Sequence, residues 1–149
     1  YLSGIVCFYR HICKWDDTQL QIPPRPRVKK LPVVFSKQEV KRLFAATDNL
    51  KHLLLLQTVY SAGLRVSELV RLKPHHIESD PDRMMIRVDQ GKGKKDRYTI
   101  LSHKLLADLR IYWRKYRPGK WLFAGQKPQN HLCEGAAQEA FYLAKKKPA

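Results

Sequence analysis

The chain carries apolar residues at two different spacings, which predict helices in some stretches and strands in others. Near the start, helical spacing predicts one amphipathic helix over about the first fourteen residues, with an apolar face of Leu2, Ile5, Val6, Tyr9, Ile12 and Cys13. A second helix, SKQEVKRLFAAT, begins at the capping-box pair Ser36 and Glu39. A third, LKHLLLLQTVY, is apolar on nearly every side, which indicates a central place in the core.

A short helix is predicted just after Gly63, carrying Arg65 and Glu68 and ending before Pro74. Strict alternation then predicts two strands, one around Ile86 and one around Tyr98, flanking the turn QGKGKKD. Ser102 caps a further helix through HKLLADLRIYWRKYR, and a last helix starts at about Glu134. The predicted fold class is α+β, mainly helical with a small antiparallel β-hairpin or three-stranded sheet.

Between the first two helices lies the segment QIPPRPRVKKLP, which is rich in proline and in basic residues. It cannot form a helix and predicts an extended linker. We therefore expect three parts: a helix over residues 1–15, a basic linker over 16–34, and a larger domain over 35–149. The linker is either a solvated tether or a strap lying along a phosphate backbone, with contacts from Arg25, Arg27, Lys29 and Lys30.

Charge narrows the class of partner. The 149 residues contain 29 Lys and Arg against 13 Asp and Glu, a net charge of +16, and the pI is about 10.0. Such an excess predicts a polyanionic partner: ribosomal RNA, DNA or an acidic membrane surface. Three cysteines without zinc-type spacing favour neither disulfides nor a metal site and indicate a reducing compartment. No apolar run is long enough to span a bilayer.

Arg65 stands out because it lies between Leu64 and Val66, where the pattern calls for a buried residue. A guanidinium cannot lose its charge, so burial predicts an anion or acceptor beside it. Glu68, three residues on, either holds Arg65 in position or forms an ordinary helix-face ion pair.

The hairpin tip is the second candidate site. Lys92 lies between Gly91 and Gly93, which let the backbone approach a bulky partner closely. The neighbouring Lys94 and Lys95 form either a solvated face or phosphate contacts, and Arg97 follows them. No phosphate-binding glycine motif is present, so nucleotide binding and cofactors are not indicated.

Other residues receive structural interpretations. Asp80 and Asp82 fit a turn rather than a metal site, and His75 and His76, after a helix-stopping proline, are predicted at the surface. The aromatic and basic stretch IYWRKYRPGKWLF either stacks on nucleic acid or packs partly in the core, through Ile111, Trp113 and Tyr116.

Taken together, SAGLRVSELVRL, a strand and then GKGKKDRYTIL resemble the first half of the catalytic domain of tyrosine recombinases, or phage integrases. The resemblance covers roughly residues 35–149, and residues 1–15 resemble the last helix of the preceding DNA-binding domain. It implies a fold similar to DNA breaking-rejoining enzymes, in which Arg65 is a catalytic arginine, Glu68 its support and Lys92 a catalytic lysine. It also implies duplex DNA as partner and no metal.

The chain departs from the family pattern at the H-x-x-R box, since no histidine has an arginine three positions on. AAQEAFYLAKKK resembles the helix before that box, so Tyr142 is predicted to be a packing residue rather than the nucleophile. We therefore expect a DNA-binding fragment of a recombinase of a mobile element, and we expect this fragment to be inactive by itself. The expected location is the bacterial cytoplasm, in association with the nucleoid. In the full-length protein, copies of the chain are expected to associate on DNA. The alternatives are a non-catalytic DNA-binding module and an unrelated basic RNA-binding protein.

Overall fold

The structure is a computed structural model, and it describes residues 2–15, 34–89 and 96–146. The chain forms two compact units, Tyr1–Val34 and Phe35–Ala149. In the first, helix α1 spans Leu2–His11, a little shorter than predicted, and the Tyr9 ring packs on Trp15 with centroids 4.8 Å apart. The predicted linker, including Arg25, Arg27, Lys29 and Lys30, lies almost wholly outside the described residues.

The second unit has five helices and three strands in the described residues, with a 3₁₀ turn at Pro74–His76 between α4 and β1. Their order confirms the predicted α+β class, with the sheet three-stranded. The elements are α2 (Lys37–Ala45), α3 (Leu50–Ala62), α4 (Val66–Val70), β1 (Ile77–Glu78), β2 (Met85–Val88), β3 (Arg97–Ile100), α5 (His103–Tyr116) and α6 (Glu134–Lys146).

Local capping sets the start of α2 as predicted. The Glu39 N–H donates to the Ser36 hydroxyl at 3.2 Å, and the Ser36 N–H donates to the Glu39 carboxylate at 2.7 Å. This reciprocal pair satisfies two N–H groups that a helix end otherwise leaves unpaired. Helix α2 thus begins directly after the predicted cap, Ser36.

Helix α3 lies at the centre of the core, as its apolar sequence predicted. It packs against α2, α4, α5, α6 and β3. Its buried residues include Leu54 and Leu55, and Phe123 from the loop after α5 is fully buried as well. Because α3 contacts so many elements, its position in the domain is well determined. The candidate site follows directly after its C-terminal end.

The sheet is antiparallel in the order β1-β2-β3. Ile86 pairs with Thr99 and Val88 with Arg97. Ile86 and Val88 face the core, while Arg87 between them is exposed, as the alternation predicted. Arg97, the first residue of β3, therefore lies beside Val88, the last residue of β2.

The alternative in which Ile111, Trp113 and Tyr116 pack partly in the core is wrong, which leaves the alternative of stacking on nucleic acid, and the prediction that Tyr142 is a packing residue is also wrong. Ile111, Trp113 and Tyr116 are exposed, because the buried stripe of α5 is Leu105, Leu106, Leu109 and Tyr112. Tyr142 is also exposed, at 60%, and it is the adjacent Phe141 that packs against the core. Within the described ranges, no helix is long and apolar enough to cross a membrane.

Candidate functional site

A left-handed turn at the end of α3 places Arg65. Gly63 has φ of 60° and ψ of 39°, and its N–H donates to the Val59 carbonyl at 2.9 Å. This conformation favours glycine and reverses the chain within one residue. Leu64 then enters the core, and Arg65 becomes the N-cap residue of α4. The prediction that Arg65 lies at the start of a short helix is therefore confirmed.

Glu68 is the organising residue of the site, with a side chain only 5% exposed. Its carboxylate accepts from the Arg65 N–H at 2.9 Å and from Arg65 Nη1 at 2.7 Å. It also accepts from Arg97 Nη2 at 2.8 Å. Burial alone would raise the pKa of Glu68, but these hydrogen bonds, led by the one from the Arg65 backbone, hold that pKa below its usual range. Glu68 is therefore a carboxylate that fixes two guanidinium groups.

The prediction that Arg65 is buried is wrong, since its side chain is 54% exposed. An N-cap residue lies outside the helix cylinder, so its side chain can extend to solvent although Leu64 and Val66 turn inward. The buried charge is that of Glu68, and the arginine is its exposed partner. Part of the Arg65 guanidinium consequently remains accessible to a further anion.

Sequence reasoning missed the second arginine of this cluster. Arg97 was predicted only as a DNA contact, yet it bonds Glu68 and approaches the Gly63 carbonyl at 3.5 Å. Two residues on and on the same strand face, Thr99 donates to the Ala62 carbonyl at 2.7 Å. The alternation of side chains along β3 could have predicted this contact, because it places Arg97 and Thr99 on the same face, which packs against the end of α3.

The hairpin tip of residues 90–95, with Lys92, Lys94 and Lys95, lies outside the described residues. The residues on either side of it are described. Arg87 Nε donates to Asp89 Oδ1 at 2.9 Å, and Arg87 Nη2 lies 4.0 Å from Asp96 Oδ2. Arg87 therefore lies between the two carboxylates that flank the tip.

The predicted surface position of His76 is wrong. Its ring is 2% exposed, whereas the adjacent His75 is exposed as predicted. His76 Nε2 lies 3.0 Å from Asp89 Oδ2. The proline that ends the preceding segment starts a 3₁₀ turn, and this turn rotates the second histidine inward beneath the end of β2.

We expect the stability of the protein to fall as pH is lowered through about 6.5. Burial is the main cause that lowers the pKa of His76 from its usual 6.5, and the positive charges of His75, Lys73 and Arg87 lower it further. The Asp89 carboxylate acts in the opposite direction and raises this pKa, but the net effect is a lowered value. The unfolded chain therefore binds a proton more readily than the folded one, and stability is lost as pH drops from 6.5 toward the folded pKa. Urea unfolding at about pH 7.5 and about pH 5.5 measures this difference.

The matched variant is His76→Asn, which cannot titrate. Its unfolding free energy should change less between the two pH values. The lowered pKa values of Glu68 and Asp89 affect stability only at lower pH, below their usual 4.5 and 3.8. An equal pH dependence in wild type and variant would contradict the assignment.

Asp80 behaves as the predicted turn residue. Its carboxylate accepts from the Asp82 N–H at 3.1 Å. The described part of the chain has no group of three or more His, Cys, Asp or Glu arranged to hold a metal ion.

Comparisons with known proteins identify the family and the fold. The sequence profile of the phage integrase family matches residues 34–148. A Sinorhizobium fredii protein of the integrase/recombinase type, y4eF, is 46% identical over 140 residues, covering 93% of this chain and 55% of the relative. The tyrosine recombinase XerA of Pyrococcus horikoshii is 30% identical over 131 residues, covering 87% of this chain and 45% of the relative. The chain thus spans about half the length of these curated relatives.

Among solved structures, the XerH site-specific recombinase bound to its difH substrate in a pre-cleavage complex superimposes with a TM-score of 0.70. The identity is 18%, and the match covers 99% of this chain and 48% of that one. The XerA recombinase superimposes with a TM-score of 0.64 at 24% identity, covering 99% of this chain and 54% of that one. At these identities the superpositions show a shared fold.

Proposed function

Since the chain belongs to the phage integrase family, we propose that it is part of a site-specific tyrosine recombinase that cuts and rejoins duplex DNA through a covalent 3′-phosphotyrosine. Residues 35–149 form the first part of the catalytic domain. Residues 1–15 are the last helix of a preceding DNA-binding domain, and 16–34 link the two. In the full-length protein, copies of the chain associate on DNA.

One observation carries this proposal: an arginine that is 54% exposed, Arg65, is fixed by a carboxylate that is almost fully buried, Glu68. A purely structural ion pair would not need an exposed guanidinium held so firmly at a helix start. A site that must meet an external anion does need it, because the donor is then oriented before the anion arrives.

In the proposed reaction, a tyrosine oxygen that has lost its proton attacks phosphorus, a bond between this oxygen and phosphorus forms, and the bond from phosphorus to the 5′ oxygen breaks. Negative charge builds on the non-bridging oxygens, where the N–H groups of Arg65 that do not bond Glu68 stabilise it. Lys92 gives a proton to the departing 5′ oxygen. Glu68 is a positioning residue, since it touches the arginine and not the phosphate.

The surrounding positive charge extends the contact with DNA. Arg25, Arg27, Lys29 and Lys30 of the linker, with Lys94 and Lys95 of the hairpin, are proposed to contact phosphates on either side of the cut. Arg97, which shares Glu68 with Arg65, contributes through its partly exposed side chain. Each such contact releases counterions, which makes binding depend on salt.

Replacing Arg65 by glutamine tests the phosphate contact. We expect the slope of log affinity for duplex DNA against log salt to become shallower by about 0.9, the value for one lost contact. Fluorescence anisotropy with a labelled duplex at several salt concentrations gives the slope. The Arg65 backbone N–H that bonds Glu68 is retained in this variant, so the start of α4 should be preserved.

The control is Arg83→Gln, which removes an exposed arginine at the other end of β2, paired with Glu78 at 3.7 Å. Its slope should match that of the wild type. A wild-type slope in Arg65→Gln as well would count against the proposed role of Arg65.

A further inference from the structure

A groove of about 470 Å³ runs along α5 beside the segment that leads into β1. Its floor consists of aliphatic side chains from α5, β1 and the loop after α5: Leu106, Leu109, Ile77 and Leu122. Such a floor favours leucine-like side chains of a ligand, because their burial removes apolar surface from water. We refer to this feature as the α5 groove.

Two arginines form the charged rim of the α5 groove. Arg110 and Arg114 lie about one helical turn apart on α5, and both side chains are exposed. Among the described residues, neither arginine forms a salt bridge with a carboxylate, and no Asp or Glu lines the groove. The rim therefore offers two guanidinium groups to the carboxylates of a ligand.

Trp113 lines the same groove and is 42% exposed, although it is a large aromatic residue. The Arg117 guanidinium lies 4.2 Å from the centre of the Trp113 ring, which is a cation–π distance. Arg117 has φ of 44° and ψ of 56°, a left-handed conformation that is unfavourable for a residue with a Cβ atom, and its N–H donates to the Trp113 carbonyl at 2.8 Å. Trp113 is thus held in place outside the core, as suits a side chain that contacts a partner.

The lining of the α5 groove distinguishes between classes of ligand. A nucleic-acid base binds by stacking on an open aromatic face, but the Trp113 ring is already contacted by Arg117 and the floor is aliphatic. A second copy of the chain is disfavoured, because each copy carries a net charge of +16. An acidic protein segment fits both features, since its carboxylates complement the arginines and its aliphatic side chains complement the floor.

We propose that the α5 groove binds an acidic, leucine-rich helix of a partner protein. Apolar side chains on one face of that helix pack on the floor of the groove. Flanking Asp or Glu residues of the helix pair with Arg110 and Arg114, and Trp113 packs against its apolar face.

The α5 groove is separate from the cluster around Arg65. The start of α5 is near the end of α3, where the hydroxyls of Ser61 and Ser102 are 3.3 Å apart. Arg110 lies about 12 Å farther along α5, at 1.5 Å per residue. The groove can therefore bind its partner whether or not the residues around Arg65 act on DNA.

Fluorescence anisotropy with a labelled amphipathic peptide of leucine and glutamate tests the proposal. The matched control peptide has the same composition in a shuffled order, which keeps the charge but removes the apolar face. We expect the chain to bind the amphipathic peptide more tightly than the shuffled one by roughly tenfold, because charge attraction alone would treat both peptides equally.

Replacing both rim arginines tests the charged part of the groove. Arg110→Gln/Arg114→Gln should weaken binding of the amphipathic peptide by roughly tenfold. The control is Lys104→Gln/Lys115→Gln, which removes the same charge from the same helix at exposed positions outside the groove. This control should bind the peptide nearly as well as the wild type.

Replacing Trp113 tests the apolar part. Trp113→Ala should also weaken binding of the amphipathic peptide by roughly tenfold. The control is Tyr116→Ala, at another exposed aromatic residue of α5 that does not line the groove, and its affinity should be unchanged.

Three results would overturn the proposal. The first is equal affinity for the amphipathic and shuffled peptides, and the second is an equal loss of affinity in the groove variants and their controls. The third concerns a labelled single-stranded oligonucleotide measured in the same way. If the groove variants weaken its binding and leave peptide binding unchanged, the α5 groove is a nucleic-acid surface instead.

Discussion

Replacing Glu68 by glutamine is expected to lower the free energy of unfolding by about 2–3 kcal/mol, because a buried carboxylate with charged hydrogen bonds is lost. The amide keeps the size of the side chain, so little cavity forms. Its NH₂ group, however, would face the donors of Arg65 and Arg97, which leaves one of them without an acceptor. Chemical denaturation at neutral pH measures the change.

The matched control is Glu78→Gln, which removes a carboxylate from the longer Arg83 pair at 3.7 Å. A pair of this kind at the surface contributes about 0–1 kcal/mol, so the control should stay near the wild type. Equal losses in both variants would mean that Glu68 has no special structural role.

Affinity for duplex DNA is expected to fall steeply with salt. If six to ten phosphates are contacted, affinity drops by roughly 10³–10⁵ between 50 and 200 mM salt. The net charge of +16 favours such contacts, and the basic residues of the linker and hairpin are the ones proposed to make them. Titrations with duplexes of unrelated sequence should give similar curves. A flat salt dependence, or clear preference for duplex RNA of the same sequence, would instead support the RNA-binding alternative.

The same preparation should not become covalently attached to DNA. The 149 residues contain no H-x-x-R box, and Tyr142 lies in a segment that resembles the helix before that box rather than the one with the nucleophile. Incubation with a nicked suicide duplex followed by a denaturing gel should therefore show no shifted protein band. A shifted band that Tyr142→Phe abolishes would place the nucleophile in α6.

Most elements could be predicted because their signals are local. The capping box at Ser36, the glycine that ends α3 and the alternation in β2 each involve residues only a few positions apart. For the same reason Arg65 was placed at the correct helix start. The ion pair between Arg97 and Glu68, in contrast, joins residues 29 positions apart and depends on how the hairpin packs against α4.

The wrong predictions have a common physical origin. For Arg65, His76 and the aromatic residues of α5, the local sequence pattern did not determine whether the side chain points to the core or to solvent. A shift of one helical position, or the presence of one turn, changes that direction. In α5 the buried face passes through Leu109 and Tyr112, which turns Trp113 outward. At His76 the 3₁₀ turn changes the direction again. Only contacts between distant elements determine which side faces inward.

The sharing of Glu68 also sets the charge that the cluster can offer. Two guanidinium groups and one carboxylate leave one net positive charge, since 2 − 1 = 1. A phosphodiester carries one negative charge, so a single DNA phosphate would neutralise the cluster. A bound monoanion would thus leave no excess charge in this cluster of three side chains, and a dianion such as a terminal phosphate would be matched less well by it.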